Sequence, residues 1–498
     1  MLSEWFQHDI QEKRRRIVRT LVLLLEETLR RRYGPVRLKL EYAVGNAWYV
    51  RRPDQMRLLP VDLEALKSTM QLILRREGIP ERVELPLDEV KTELRRQEDE
   101  AGRAWYEDCA SVPPLLYRVA DRIMPMDGPL CESVNEVGAW DLQLYPTGIL
   151  LRLPRPGGQE VMPYRERPTL FRTMFTATLH ATAHRFEYVQ QVNRIIRNGD
   201  LGPMILQEEA KHNRQIAHIA DRIAAMQPRL KIVLIGGPSS AGKTSAGKRL
   251  QIELRLLGLS PYAVSLDDFY KPREEIPLNG NGEPDYERLE ALDIPYLQET
   301  LLRLAAGEEV QLPKLDFVTH ERNAGETIRL GREGLLILEG IHSLNPGLTR
   351  YMTAATVFKV YISALTHLNF DTRNRVSTTD LRLLRRMERD RETRGYPVED
   401  TLRRWPDVRR GEQLYIFPHQ EEADAMFNTA QPYELNILKG RLEKPLRQVH
   451  KPDLQPETER LLRMLDGVEA VPDTEFLPYL PSNSILREFV GGSALEGL

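Results

Sequence analysis

The stretch IGGPSSAGKT, residues 235–244, constrains the fold of this chain more than any other segment. Residues 231–235, which lead into it, are largely apolar and β-branched, as is typical of a buried strand. Residues 243–257 carry apolar side chains at helical spacing, and Gly258 ends that pattern. The order therefore predicts a strand, a turn of small residues and a helix.

This turn satisfies the pattern G-x-x-x-x-G-K-[ST]. Small residues leave backbone N–H groups open at a helix N-terminus, where the helix dipole also favours an anion. We therefore predict a cradle for the phosphates of ATP, with Lys243 at the β- and γ-phosphates and Thr244 as a ligand of Mg²⁺. The residues expected to bind the nucleotide are Gly237, Pro238, Ser239, Ser240, Ala241, Gly242, Lys243, Thr244 and Ser245. The alternative is a glycine-rich turn that binds no ligand.

Two further apolar stretches are predicted to be strands that each end in an acid. Residues 262–266 lead to Asp267, and residues 335–338 lead to Glu339. In open parallel sheets, ligands bind outside the carboxyl ends of the strands. We therefore expect Lys243, Asp267 and Glu339 to meet in one crevice. Taken singly, a carboxylate after a strand is more often a helix cap or a turn residue.

Residues 380–395 are predicted to form a basic helix. Arg382, Arg386 and Arg389 lie at positions i, i+4 and i+7, on one helical face. Such a stripe can close over phosphates and neutralise the charge of a phosphoryl-transfer transition state. The alternative is a solvated face whose arginines pair with neighbouring acids such as Glu388.

Five motifs occur in a fixed order between about residues 231 and 435: GGPSSAGKT, SLDDFY, LDFVTHER, LILEG and RRMERDRETRG. In this set the chain resembles the phosphoribulokinase/uridine kinase family. The resemblance implies a P-loop α/β domain with a mobile lid, here at about 380–412. It also implies ATP-dependent phosphorylation of a hydroxyl on a nucleoside or a similar small molecule.

The resemblance also implies roles for individual residues. Asp267 corresponds to the carboxylate that accepts the proton of the 5′-hydroxyl, and Glu339 to an acid associated with Mg²⁺. The other residues implied to be catalytic are Lys243, Arg386 and Arg389. Four residues are implied to bind substrate: Tyr270 near the nucleoside, Glu287 at the ribose hydroxyls, His320 at the pyrimidine edge, and Arg386. Arg394 is implied to contact the nucleotide. As alternatives, Tyr270 is a core residue and His320 a turn residue.

Three positions depart from the pattern of uridine–cytidine kinases. Leu315 replaces a tyrosine beside the base, Tyr396 a lid arginine, and Arg404 a glutamine. The phosphate motifs match the family while the acceptor side is altered. We therefore expect phosphorylation of a uridine- or cytidine-like nucleoside, with two alternatives. One is a kinase for another small alcohol, such as a sugar phosphate, and the other is a nucleotide-gated RNA-binding or regulatory protein.

The N-terminal half contains LILRREGIPERVELPLDEVKTELRRQ and PLLYRVADRIMPMDGPLCESVNEVG. These segments resemble the second additional domain of threonyl- and alanyl-type tRNA synthetases, which clears mischarged tRNA with a His/Cys metal site. Here Cys131 is present, but Asn135 stands where a histidine is expected, and the N-terminal HxxxH pair is reduced to His8 and Glu12. Because so many of the metal ligands are missing, we expect that this domain neither clears mischarged tRNA nor binds Zn²⁺ tightly. The two halves together resemble bacterial nucleoside kinases.

The predicted fold class is α/β, with a P-loop parallel-sheet kinase domain preceded by an α+β synthetase-like domain and a helical connector. We place the synthetase-like domain at residues 1–155, the connector at 156–228 and the kinase domain at 229–498, with a C-terminal extension at 450–498. The connector holds His180 and His184, an HxxxH pair without an evident third ligand, which we expect to be structural.

Composition limits the partners of this chain. The net charge of −3 gives no general attraction to nucleic acid or to anionic membranes. The two cysteines exclude a disulfide framework, and no signal or membrane span is evident, so we expect a cytoplasmic protein that does not bind membranes. The basic clusters at 13–16 and 30–32 are expected to be solvated helix faces, with RNA contact by the N-terminal domain as the alternative. Homo-oligomer formation is left open.

Overall fold

The computed structural model describes residues 8–52, 56–109, 113–155, 158–280, 282–316 and 321–496. The described residues divide into two compact units. The first comprises the residues up to Asp200 together with Thr366–Leu381 and Leu435–Pro472. The second comprises Leu201–Leu365, Arg382–Glu434 and the residues from Asp473 onward.

Helices and strands are named in chain order. The helices are α1 (His8–Tyr33), α2 (Pro60–Arg76), α3 (Leu87–Arg96), α4 (Glu100–Asp108), α5 (Val134–Val137), α6 (Pro168–His184), α7 (Val189–Arg197), α8 (Leu201–Ala224), α9 (Lys243–Leu256), α10 (Ile294–Ala305), α11 (Thr378–Arg394), α12 (Val398–Gly411), α13 (Glu434–Arg447), α14 (Gln455–Asp466), α15 (Asp473–Phe476) and α16 (Arg487–Val490). The strands are β1 (Lys39–Val44), β2 (Ala47–Arg51), β3 (Glu81–Val83), β4 (Leu115–Val119), β5 (Arg122–Met126), β6 (Asp141–Tyr145), β7 (Gly148–Arg152), β8 (Ile232–Gly236), β9 (Ser260–Ser265), β10 (Glu309–Leu315), β11 (Arg322–Arg329), β12 (Gly334–Gly340), β13 (Val357–Ser363) and β14 (Ala425–Asn428).

The first unit contains two antiparallel sheets that share the long helix α1. One sheet has the strand order β1-β2-β7-β6 and the other has the order β3-β4-β5. Leu21 and Leu25 of α1 are fully buried in the core that includes Leu66 of α2, whereas Leu23 packs with Tyr117 and Met124 of the smaller sheet. The predicted α+β region at the N-terminal side is therefore confirmed.

Apolar and polar residues alternate along much of the stretch 36–49, most of which lies in the hairpin formed by β1 and β2. Val44 of β1 faces Ala47 of β2, so Gly45 and Asn46 form a two-residue turn between them. Gly45 has a φ of +66°, a conformation that costs glycine little and is required in the favoured two-residue hairpin turns. The alternation of apolar and polar residues indicates which side chains face the core, but the reversal of the chain between β1 and β2 depends on Gly45 and Asn46.

The basic cluster at the end of α1 is tied into ion pairs and is not simply solvated. Arg30 and Arg31 both donate to Glu27, and Arg31 also reaches Glu77 of the loop after α2 at 2.6 Å. Because Glu27 is fully buried, these pairs fix the end of the helix against the unit. Arg31 and Arg32 are exposed, so the expected solvated face is present, and its arginines pair with acids.

The HxxxH pair lies near the end of α6. The rings of His180 and His184 are 4.5 Å apart, and the ring of Phe186 lies 5.5 Å from that of His180. The pair is thus part of an aromatic cluster at the helix end, and the structural role expected from the sequence stays a prediction.

The second unit is built on a five-stranded parallel sheet with the order β14-β13-β8-β12-β9. Its central strand β8 is buried along its whole length, and its Val233 pairs with Ile337 of β12 and Phe358 of β13. A core of residues such as Leu234, Leu301 and Leu338 covers the sheet. The predicted parallel α/β fold is confirmed.

An antiparallel pair, β10 and β11, extends the second unit outside this sheet. Val310 of β10 faces Ile328 of β11, and both are buried in the same core as the central strands. The pattern of the sequence does not predict this hairpin. It matters for the site because β10 ends at Leu315, one of the three positions that depart from the family pattern.

The helical character predicted for the connector is confirmed in α6, α7 and α8. The first division between the two compact units along the chain falls after Asp200, not at the predicted domain boundaries of residues 155 and 228. Those domain boundaries stay predictions. Residues 450–498, predicted to be one extension, contribute to both units, with Pro472 as the last residue in the first. Within the described ranges, none of the helices has the length and apolarity needed to cross a membrane.

Candidate active site

The turn between β8 and α9 forms a cradle whose walls leave no room for side chains. A β-carbon added to Gly237 would overlap the carbonyl oxygen of Ile362 in β13. Gly242 caps α9 with a φ of +82°, and an added β-carbon would lie 2.5 Å from Ile485. Ser240 also adopts a positive φ, of +55°. The small residues of the motif are therefore required by the backbone path itself.

Lys243 lies at the start of α9, beneath this turn. Its ammonium donates to the carbonyl oxygen of Pro238 at 3.0 Å, and it makes no ion pair with any residue that the structure describes. Burial lowers the pKa of Lys243, and the carboxylates of Glu339 and Glu488 act in the opposite direction. A cation that is partly removed from water and has no anionic partner is suited to hold a polyanion.

Thr244 and Glu339 come from neighbouring segments and meet directly. The Thr244 hydroxyl donates to the Glu339 carboxylate at 2.9 Å. Glu339 is the penultimate residue of β12, which lies beside β8 in the sheet. Burial raises the pKa of Glu339, while Lys243 and the hydrogen bond from Thr244 oppose that shift.

Two neighbouring aspartates follow β9 and have different surroundings. Asp267 is half-buried, and Lys243 and Arg394 are the cations that act on its carboxylate. Burial raises the pKa of Asp267, and the charge of Lys243 partly reverses that shift. Asp268 is buried and accepts hydrogen bonds from the backbone N–H of Leu315 at 3.0 Å and from Lys314 at 3.4 Å. Asp268 therefore anchors β10, and Asp267 is the carboxylate that shares the electrostatic field of the cradle.

The expected convergence of Lys243, Asp267 and Glu339 is present. Each of the three lies at the carboxyl end of a parallel strand, β8, β9 or β12, and these strands are adjacent in the sheet. The charge of each one acts on at least one of the other two: Lys243 acts on both acids, and the two acids act on each other. The sheet topology thus brings the predicted phosphate and acid residues into one crevice.

Helix α11 meets the phosphate turn through arginines. Arg382 donates to the carbonyl oxygen of Ser239 at 3.0 Å, and Arg385 donates to that of Ser240 at 3.4 Å. Arg386 donates to the Ser239 hydroxyl at 2.9 Å. The first two side chains are almost fully buried, so they are anchors of the turn. Arg385 was not predicted, because it lies off the i, i+4, i+7 stripe.

Three arginines of α11 share one acid. Arg386, Arg389 and Arg394 lie within 3.2–3.4 Å of Asp390. Burial lowers the pKa of Arg386 and of Arg394, because one carboxylate does not balance several guanidinium groups. The acid-paired alternative is therefore partly realised, and the phosphate-facing stripe stays a prediction. The local excess of positive charge remains available to phosphates.

Glu287 and Tyr270, the residues expected to bind substrate, border the same crevice, since Lys243 acts on Glu287 and Asp267 acts on Tyr270. Glu287 packs against Gly411 at the end of α12. Burial raises the pKa of Glu287 to about 8, with Arg386 acting in the opposite direction. Tyr270 is buried, donates from its hydroxyl to the carbonyl oxygen of Tyr286 at 3.0 Å and also interacts with Asp267. Burial raises the pKa of Tyr270 well above its ordinary value, so its hydroxyl stays protonated and able to donate.

The remaining acceptor positions differ in what the structure shows of them. His320 lies outside the described residues. Leu315 is buried in the core of the second unit. Tyr396 and Arg404, two of the three departures from the family pattern, contact each other: the Arg404 guanidinium lies 5.2 Å from the centre of the Tyr396 ring. The two departures therefore form one cation–π pair between α11 and α12.

Two carboxylates that the sequence did not single out reach the phosphate turn. Glu412 accepts a hydrogen bond from the backbone N–H of Ser239 at 3.2 Å, and Glu488 accepts one from the backbone N–H of Ser245 at 3.1 Å. Burial alone would raise the pKa of Glu412, but its pairs with Arg382 and Arg409 hold that pKa below its ordinary value. Neither acid belongs to a recognisable motif, so only the tertiary structure reveals them.

Glu488 is held in place by the packing of the residues around it. Ser484 is buried and donates to Glu209 of α8 at 2.5 Å. Ile485 packs on Gly242 of the turn, and Phe489 lies 4.8 Å from the Arg385 guanidinium. The segment 484–490, called here the C-terminal strap, is thus fixed against the phosphate cradle.

The donor set of this crevice fits a magnesium–nucleotide complex. The backbone N–H groups of residues 240–244 and the ammonium of Lys243, which has no ion-pair partner among the described residues, suit phosphate oxygens. The oxygens of Thr244 and Glu339 are ligands of the type that Mg²⁺ prefers. Only small residues and no bulky side chain line the turn itself, as this approach requires.

Comparison with known proteins agrees with this assignment. Residues 232–435 match the Phosphoribulokinase / Uridine kinase family. The chain is 29% identical over 221 residues to a uridine kinase of Vibrio cholerae, a match that covers 43% of this chain and 96% of that protein. It is 26% identical over 247 residues to the uridine kinase of Saccharomyces cerevisiae, covering 47% of this chain and 45% of that protein. The C-terminal half is therefore similar to kinases of this family over residues 232–435.

Among solved structures, a D-glycerate 3-kinase from Cryptococcus neoformans is 17% identical, with 41% of this chain and 88% of that chain covered and a TM-score of 0.30. A structure described as a possible uridine kinase from Bacillus stearothermophilus is 23% identical, with 30% and 79% covered and a TM-score of 0.26. The likeness of the N-terminal half to a tRNA synthetase domain stays a prediction.

Proposed function

We propose that this kinase domain transfers the γ-phosphoryl group of ATP to the 5′-hydroxyl of a uridine- or cytidine-like nucleoside, with Mg²⁺ as the metal. The observation that carries the proposal is the convergence of Lys243, Asp267 and Glu339 at the ends of three adjacent parallel strands. A phosphate cradle alone would support only nucleotide binding. The half-buried carboxylate of Asp267 beside that cradle supports transfer to an alcohol.

On the donor side, the backbone N–H groups of residues 240–244 would hold the phosphates, and Lys243 would neutralise them. Thr244 and Glu339, whose side-chain oxygens lie 2.9 Å apart, would hold the metal, which would neutralise phosphate charge. Bound Mg·ATP supplies the phosphoryl group that is transferred. Arg386, which donates to Ser239, and Arg389 add the positive charge that a loose transition state requires.

On the acceptor side, Asp267 orients the 5′-hydroxyl and accepts its proton as the new bond to phosphorus forms. Its raised pKa favours this role, since a carboxylate that binds a proton more readily is a better base. Tyr270 and Glu287 border the same space, and a Glu287 whose pKa is about 8 remains protonated at neutral pH. A protonated carboxyl can donate to a ribose hydroxyl as well as accept from it.

The experiment is a steady-state assay of the purified full chain with ATP and Mg²⁺ against a panel of nucleosides. We expect formation of ADP together with a nucleoside 5′-monophosphate, and a preference for pyrimidines. The matched control is the same assay with the 5′-deoxynucleosides, which lack the acceptor oxygen. ADP formation that is equal with and without the 5′-hydroxyl would contradict the proposal.

A second acceptor class is supported by the pair formed by Tyr396 and Arg404. These residues replace substrate-contacting positions of the family, and an arginine on this side suits an acidic acceptor such as a sugar phosphate. The panel therefore includes phosphorylated sugars. Turnover with these and none with nucleosides would assign the same phosphoryl-transfer chemistry to a different alcohol.

A further inference from the structure

A small cavity in the first unit is lined mainly by charged side chains. Trp105 and Phe370, which stack with ring centres 5.1 Å apart, form its apolar wall. The charged residues that line it are Arg19, Arg375, Arg460, Arg463, Asp127 and Asp380. Four guanidinium groups against two carboxylates give the lining an excess of positive charge.

Both carboxylates are already paired. Arg19 donates to Asp127 at 2.6 Å and Arg460 donates to Asp380 at 2.7 Å. Arg460 has a second acid as well, Glu457, at 2.6 Å. Arg19 likewise has a second acid, Glu12, at 2.9 Å. These two arginines therefore have acids of their own, whereas the other two do not.

Arg375 and Arg463 make no hydrogen bond or ion pair through their side chains with any residue in the described ranges. The Nη1 atom of Arg375 is buried and without a partner. Burial lowers the pKa of Arg375 to about 10, and Asp380 and Asp127 oppose that shift without reaching the guanidinium. A charge that is removed from water and lacks a partner costs free energy, because no group of the protein replaces the hydrogen bonds that it made to water. Such a group is stabilised by an anion that enters the cavity.

We propose that this cavity is a binding site for a small oxyanion, namely a phosphate group held by Arg375 and Arg463. Guanidinium groups match phosphate oxygens with paired N–H donors, and they remain charged at every physiological pH. The cavity volume is about 30 Å³, and one water needs about 10–15 Å³. The space therefore excludes a whole nucleotide unless the base and sugar stay outside, and a phosphate group fits only with part of it reaching out of the cavity.

This inference does not depend on the proposed kinase activity, because the cavity and the candidate active site have no residue in common. The phosphate cradle of the kinase domain also binds phosphate, so the test requires a background in which that cradle is weakened. Lys243→Ala supplies it. All measurements use the full chain, with inorganic phosphate compared with potassium chloride at equal ionic strength.

In the Lys243→Ala background, phosphate should raise the melting temperature and bind measurably by calorimetry. Adding Arg375→Met should weaken phosphate binding about tenfold or more. Without phosphate, Arg375→Met should melt at the same temperature or higher, since it removes an unpaired buried charge. A purely structural arginine would instead lower the melting temperature. The matched control is Arg82→Met, whose side chain is 57% exposed and lies outside the cavity.

Equal effects of phosphate and chloride in the Lys243→Ala background would overturn the proposal, as would unchanged phosphate binding in Arg375→Met. Should Arg375→Met fail to fold, the half-buried Arg463→Gln gives the same comparison. A parallel titration with glycerol 3-phosphate distinguishes the source of the group. Tighter binding of the ester identifies a phosphomonoester, and tighter binding of inorganic phosphate identifies the free ion.

Discussion

The Glu488 carboxylate accepts a hydrogen bond from the backbone N–H of Ser245 at 3.1 Å, in the first turn of α9. That N–H belongs to the helix end that the phosphate cradle offers to an anion. Glu488 also raises the pKa of Lys243 by its charge. The C-terminal strap therefore places a negative charge at the donors that a nucleotide phosphate requires.

We predict that Glu488→Ala binds ATP about two- to tenfold more tightly than the wild type, because a competing carboxylate and its repulsion are removed. The affinity is measured by calorimetry in the presence of Mg²⁺. Glu475→Ala changes an exposed acid of α15 by the same substitution and should leave the affinity as it is. Weaker binding by Glu488→Ala would mean that the strap supports the nucleotide instead of competing with it.

The neighbouring acids Asp267 and Asp268 provide a matched pair for the chemistry. We predict that Asp267→Asn lowers kcat by about 10²- to 10⁴-fold, since it removes the proton acceptor. Its ATP affinity should change little, because the amide retains the shape of the side chain. The measurements are single-turnover phosphoryl transfer and nucleotide binding.

Asp268→Asn should give the opposite result. Asp268 holds the backbone N–H of Leu315 and the ammonium of Lys314, so its loss should lower the melting temperature. The turnover of the fraction that remains folded should stay near that of the wild type. Equal losses of turnover in Asp267→Asn and Asp268→Asn would contradict the role of Asp267 as the proton acceptor.

The local elements of the kinase domain could be predicted because their signals lie within a few residues. Gly237 and Gly242 mark the turn, and the apolar run before it and the helical spacing after it define β8 and α9. Asp267 and Glu339 could be placed by a topological rule, since parallel strands end at one edge. The arginine stripe of α11 could be placed by helical periodicity.

Contacts between distant segments could not be predicted in this way. Glu412 and Glu488 reach the phosphate turn from 173 and 243 residues away in the chain. No periodicity or spacing links residues so far apart, because their approach is set by the packing of the whole unit. The same holds for the first unit, to which residues 366–381 and 435–472 contribute. The unpaired Arg375 lies in one of these segments and was not singled out.

The pair formed by Thr244 and Glu339 predicts a dependence on metal concentration. Glu339→Gln keeps the hydrogen bond to Thr244 but removes the negative charge. We therefore expect a several-fold higher Mg²⁺ concentration for half-maximal turnover, since a carboxylate is a stronger ligand than an amide. The measurement is turnover against free Mg²⁺ at saturating ATP. Glu333→Gln, an exposed acid just before β12, is the control, and an equal shift in both variants would contradict the assignment.

The buried Glu287 predicts a dependence of stability on pH. Burial raises the pKa of Glu287 from 4.5 to about 8, so between these values the folded protein holds a proton that the unfolded chain releases. The unfolded state then binds fewer protons than the folded state, and the free energy of unfolding falls as the pH rises. Above about pH 8 both states are ionised and this fall should end. The fall is measured against Glu287→Gln, which stays neutral at every pH.

Denaturant unfolding of the wild type and of Glu287→Gln from about pH 5 to about pH 9 measures this difference. We expect the wild type to lose stability relative to the variant up to about pH 8, with a constant difference beyond it. The exposed Glu283→Gln serves as the matched control, and its difference from the wild type should not follow this course. A difference between the wild type and Glu287→Gln that stays constant over the whole range would show that Glu287 is already ionised in the folded protein. In that case it could not donate a proton to an acceptor hydroxyl at neutral pH.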